Sequence, residues 1–114
     1  MKQFLLIVSV LTMVGTQVSA AFMQNRQAWN EVGEAVQAGY VQGVFSEMTQ
    51  RIEGDSKSFI KMKEAIHACA FSMKLKTKDL MKMVDKHYED LENWDTPAHL
   101  ALRQSLFKVC KNVK

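Results

Sequence analysis

Two cysteines, Cys69 and Cys110, are the only ones among 114 residues, and 41 positions separate them. Whether they pair depends on the compartment, and the start of the chain bears on that. Lys2 supplies a positive charge, Phe4 to Val14 is almost wholly apolar, and Val18-Ser19-Ala20 puts small or compact residues where a signal peptidase cuts. Cleavage is expected after Ala20, leaving residues 21–114 as the mature domain. The apolar run is shorter than the roughly twenty residues a membrane-spanning helix requires. Ala21, not a cysteine, follows the expected cut, so no lipid anchor is expected. The product is expected in the periplasm or outside the cell, where two surviving cysteines form one internal bridge; the alternative is a pair of buried free thiols. Closing a loop of this length stabilises a fold by about 4 kcal/mol in the chain-entropy model.

Without its first 20 residues the chain keeps 14 of its 15 Lys and Arg against 12 Asp and Glu, a net charge of +2. That is too little to suggest nucleic acid, which calls for a dense basic face and, for single strands, stacking aromatics. A chain of this size builds one core and has little stability to spare, so a covalent tie matters.

The apolar pattern has helical periods. Trp29, Val32, Val36, Tyr40, Val44 and Met48 recur almost every fourth position, which predicts one long helix from Gln27 to Glu53. Gly54, Asp55 and Ser56 end it and cap the next, in which Phe59, Met62, Ile66 and Cys69 point inward, with its end near Phe71 or Ser72. Thr77 is the expected cap of a third helix with Leu80, Val84, Tyr88 and Leu91 on one face. Thr96 and Pro97 open the fourth, whose inward stripe is Ala98, Leu102, Leu106, Val109 and Val113. No strand alternation, repeat or second domain interrupts this order. The expected fold is an all-α, compact bundle of about four helices with one disulfide.

Little in the chain suggests catalysis. His67 and Cys69, two residues apart on a helix, point in different directions, and a disulfide would consume the thiol. His67, His87 and His99 lack the spacing of metal ligands, and Glu89, Asp90 and Glu92 read as a solvated run. No enzyme activity, cofactor or metal is expected. More informative are Gly39, Tyr40 and Gly43: each glycine costs a helix about 1 kcal/mol relative to alanine. Close approach of another helix is expected there, within the core or as a dimer seam. Lys74, Lys76, Lys78, Lys82 and Lys86 read first as a solvated face and second as a stripe steering an acidic partner. Glu92, Asn93, Trp94 and Asp95 form the candidate binding loop, because a Trp in a connection is an efficient anchor. The rival role for Trp94 is packing back onto the first turn of the next helix, near Leu100.

Three features in order, Gly39-Tyr40-Val41-Gln42-Gly43-Val44, then Cys69 followed by Leu80 to Tyr88, then Pro97-Ala98 opening a helix that finishes at Cys110, resemble the Rap/Tai family of type VI secretion immunity proteins. The resemblance runs from about Gly39 to Cys110. Family members often carry a proline two residues after the first cysteine, where Phe71 stands here, and one immediately before the last, where Val109 stands. The resemblance implies a periplasmic homodimer that binds a peptidoglycan amidase and occludes its substrate groove. The competing class is a small one-disulfide acid-stress chaperone, for which the methionines retained after cleavage would provide an adaptable surface.

Overall fold

The computed structural model describes residues 23–111. The expected signal peptide, residues 1–20, lies outside them, as does Val113. Five helices follow in order: α1 (Arg26–Glu31), α2 (Glu34–Thr49), α3 (Lys57–Ser72), α4 (Thr77–His87) and α5 (Ala98–Cys110), with a 3-10 turn at Leu91–Asn93 before α5. The described residues contain no strand, and α2 to α5 are the four long helices of the expected bundle. Helices α2 and α5 each pack on the other three long helices, and α3 and α4 flank this central pair. Trp29, Val41, Val84, Ala98, Ala101, Leu102 and Leu106 are wholly buried between them.

The single helix expected over Gln27–Glu53 is two. Val32 is extended and Gly33 takes the N-cap position of α2, with its carbonyl accepting from the Val36 and Gln37 amides. The Gln37 side chain donates to the Trp29 carbonyl at 2.8 Å and so satisfies a group the break exposes. This break turns Trp29 inward, where its indole donates to Asp85 of α4 at 2.8 Å and its ring meets Tyr40 edge-on. It also resets the helical phase. Val36 is exposed and Val41 is buried in its place, because steps of four residues exceed the 3.6-residue turn and wind off a fixed face.

Helix α2 stops at Thr49, short of Glu53, and the turn after it is built on a buried lysine. Lys63, 3 % exposed, donates to the Gln50 carbonyl and to Asp55 Oδ2, each at 2.9 Å, and lies over the Phe59 ring. Asp55 also accepts from the Ile52 amide, Gly54 takes a positive φ of 97°, and Ser56 caps α3 through the Phe59 amide. Lys63 occupies the inward position expected of Phe59, which is exposed. The reason is hydrogen bonding: the ammonium satisfies a carbonyl that α2 leaves without a helical partner.

Helix α3 ends in a Schellman arrangement: the Lys74 amide donates to Phe71 O and the Leu75 amide to Ala70 O. The cap of α4 is Lys76 and not Thr77; Asp79 reaches back to the Lys76 amide, and the Thr77 hydroxyl accepts from Gln42 instead. Leu91, expected in the core, is exposed because α4 ends at His87. Pro97 takes the cap position of α5 and Ala98 the first helical one, so Thr96 does not cap it. The Ala98 amide is met by Met23 O at 2.9 Å. Ala101 is buried as well, and Val109, expected on the inward stripe, is exposed.

Cys69 and Cys110 are bonded, with Cα atoms 5.7 Å apart, tying α3 near its end to the last residue of α5. Gly39 and Gly43 overturn their expected close packing within the chain. A Cβ added at either would meet nothing within 4 Å, and both are exposed on the side of α2 opposite Val41 and Val44. Tyr40, between them, does pack, against Trp29 and the rest of the core.

Two outcomes are expected. Cys110→Ser should lower the unfolding free energy by about 4 kcal/mol, measured by urea denaturation at neutral pH. The Lys63 hydrogen bond, followed by that from Ile52, holds the Asp55 carboxyl below its ordinary 3.8. Its contribution is therefore complete above 3.8 and is lost as pH falls below it. Asp55→Asn should flatten the acid limb of a stability–pH curve and leave the neutral-to-alkaline part parallel.

Candidate binding loop

The connection from Tyr88 to Pro97 carries Glu89, Asp90, Glu92 and Asp95, with Leu91 and Trp94 among them. A segment with so few core residues is ordered by its polar contacts. Tyr88, buried at the end of α4, donates its hydroxyl to Thr96 O and so closes the loop across its base. Burial pushes that phenol up to about 12, so it stays protonated and remains a donor. Asn93 donates to His87 O at 2.9 Å, and the Trp94 indole to Tyr88 O at 3.0 Å. Both carbonyls belong to the end of α4, whose last turn has no helical donors left.

The N-terminal segment braces the loop from its other side. The Arg26 amide donates to Trp94 O at 2.8 Å, and its guanidinium lies 4.4 Å from the centroid of the Trp94 ring. Tyr88 and Arg26 therefore fix Trp94. Despite these ties Trp94 is 41 % exposed and Leu91 is 70 % exposed, while Glu92 and Asp95 face solvent. The structure thus presents two apolar side chains among carboxylates on a loop already fixed in shape. Of the residues expected here, Glu92, Trp94 and Asp95 are outward, and Asn93 is half-buried and holds the loop together.

Beside the loop lies a recess of about 590 Å³ between α4 and α5, lined by Met83, Lys86, His87, Asn93, Gln104 and Lys108 among others. His87 Nε2 is buried there without a hydrogen-bond partner. Burial lowers the His87 pKa below 6.5; Asp90 opposes that shift and Lys108 adds to it. Sequence spacing gave no sign of this environment. Nor did it reveal Arg26, which is 68 positions from Trp94 and meets it only through the fold. The second tyrosine, Tyr40, has its hydroxyl against the His99 backbone at the start of α5, and burial raises its pKa.

Among the described residues, no three His, Cys, Asp or Glu side chains converge as metal ligands, and Cys69 and Cys110 are held in the disulfide. Compared with protein-family models, curated proteins and solved structures, the chain has no match.

A histidine with a lowered folded pKa favours the fold while neutral, so its contribution is present above 6.5 and is lost as pH falls through its folded value. An NMR titration should therefore give His87 a midpoint below 6.5. Amide protection in Leu91–Thr96 should fall over the same range, because the His87 carbonyl carries Asn93.

Proposed function

We propose that this protein is a periplasmic immunity protein of the Rap/Tai kind. It binds and occludes a peptidoglycan amidase delivered by type VI secretion, and so protects the cell that makes it. The observation that carries this reading is the placement of the resembling segments on a disulfide-tied, all-helical frame. Gly39 to Val44 lie inside α2, Cys69 near the end of α3, Leu80 to Tyr88 span α4 and its cap, and Pro97-Ala98 open an α5 that finishes at Cys110.

The physics of inhibition supports the same reading. A protein that blocks a groove needs no chemistry of its own; it needs a surface that loses little freedom on binding. The Glu92–Asp95 loop, held by Tyr88, Asn93 and Arg26, meets that requirement with Trp94 as its anchor. A structural disulfide fits an oxidising compartment, where peptidoglycan is also found. The homodimer that the resemblance implies has the uncovered Gly39 and Gly43 side of α2 available to it.

The test directs candidate amidases to the periplasm with and without this protein. Rescue from lysis by one of them, with a stable complex at neutral pH, is the expected result. Trp94→Ala should then weaken that complex about 30-fold or more, as loss of a central aromatic anchor does. Unchanged affinity would remove the loop from the contact. Rescue from no amidase, together with suppression of aggregation at about pH 2 to 3 where carboxylates protonate, would instead identify an acid-stress chaperone.

A further inference from the structure

The turn between α3 and α4 and the adjoining flank of α2 carry a feature that amidase inhibition does not use. Phe71 is 81 % exposed and Met73 beside it is also exposed. Phe71 and Lys74 line a shallow recess with Phe45 of α2, and Lys78 and Lys82 line a second with Ala35 and Ala38 of α2. Ala38 and Phe45 are seven residues apart, two turns along one face of α2. Between the recesses Gln42 donates to Thr77 at 2.9 Å. Phe71, Lys74, Lys78 and Lys82 therefore form one row along this flank, and Lys76 and Lys86 are exposed as well.

These charges are only partly balanced locally. No Asp or Glu occurs between Glu64 and Asp79, and Asp79 is turned back onto the Lys76 amide. Asp85, which accepts the Trp29 indole and keeps its charge, lines the recess of Lys78 and Lys82 together with Glu34, so the uncompensated charge is greatest at Lys74 and Lys76 beside Phe71. None of the five lysines forms an ion pair among the described residues. Lys74 has a positive φ of 55° at the position past the α3 terminus where glycine is favoured, so a charge is kept beside Phe71 in a conformation L side chains rarely adopt.

We infer that this row is a docking surface for an anionic phospholipid bilayer. Lysine is a hydrated point charge on a flexible stem, without the fixed fork by which arginine pairs with individual carboxylates. A row made only of lysines suits a broad field of headgroup charge, and an uncovered phenylalanine at its end can enter the interface. The acidic Glu89–Asp95 connection is at the opposite end of α4 from this turn. Binding here does not depend on the amidase reading.

Vesicle sedimentation tests it, using the chain from Ala21 onward with its disulfide intact, because the apolar leader would bind lipid by itself. This form contains every residue of the fold described above. It should sediment with phosphatidylcholine vesicles containing about one-third phosphatidylglycerol, hardly at all with phosphatidylcholine alone, and less as salt rises. The pair Lys78→Glu and Lys82→Glu should reduce partitioning about 25-fold or more, at roughly fivefold per lysine. Phe71→Ser should reduce it about tenfold. All three side chains are exposed, so circular dichroism and Tm should stay unchanged. The pair Lys57→Glu and Lys61→Glu, on exposed positions of α3, makes the same change in net charge and should leave more than half of the binding. An equal loss from both pairs would mean that net charge alone acts, and would overturn the proposal. So would equal binding to neutral vesicles, displacement by millimolar inorganic phosphate, or no sedimentation at low salt.

Discussion

The covalent tie between α3 and α5 is the constraint on which the rest depends. Helix α3 meets the central pair through a narrow set of buried side chains, chiefly Ile66, Cys69 and Ala70. Alone, that face would hold a sixteen-residue helix weakly. Joining Cys69 to the last residue of α5 keeps it against α5, the helix that supplies Ala98, Ala101, Leu102 and Leu106 to the core. With α3 and α5 joined, α2 packs over both and α4 completes the bundle. The turn from Gln50 to Ser56 then has a defined place, and Lys63 satisfies the carbonyl and carboxylate brought there.

Polar groups do as much to shape this molecule as apolar ones. The break between α1 and α2 is sealed by Gln37, the turn after α2 by Lys63 and Asp55, and the loop before α5 by Tyr88, Asn93 and the Trp94 indole. Each device meets a backbone group that helical bonding leaves unpaired, which is why Lys63 and Tyr88 are buried despite their polar ends. The consequence for function lies in the loop. A segment rich in carboxylates would ordinarily be mobile; here Tyr88, Asn93, the Trp94 indole and Arg26 hold it in one shape. A proposed inhibitor benefits because little conformational entropy remains to be lost on binding.

The surface is uneven in a related way. Carboxylates and Trp94 gather after α4, whereas Phe71, Lys74 and Lys76 lie before it and Lys78, Lys82 and Lys86 run along it. The loop offers a shaped acidic anchor and the row a diffuse basic face. The two proposed contacts therefore differ in chemistry and share one core.

The four long helices, their order and the cysteine pairing were legible in the sequence, because hydrophobic period and cysteine count are local or nearly local signals. Leu80, Val84 and Tyr88, or Ala98, Leu102 and Leu106, can be read as one face without knowing what covers it. Glu92, Trp94 and Asp95 were legible as residues of a connection between two helices, and all three are exposed. Tertiary structure decided the remainder. It broke the first helix at Gly33 so that Trp29 could reach Asp85, buried Lys63 in preference to Phe59, turned Gly39 and Gly43 outward, and set Arg26 over Trp94. These outcomes pair groups far apart in the chain, or cap backbone atoms whose exposure depends on where a helix stops. Local pattern carries no information about such partners, because their energy exists only once the packing has brought them together.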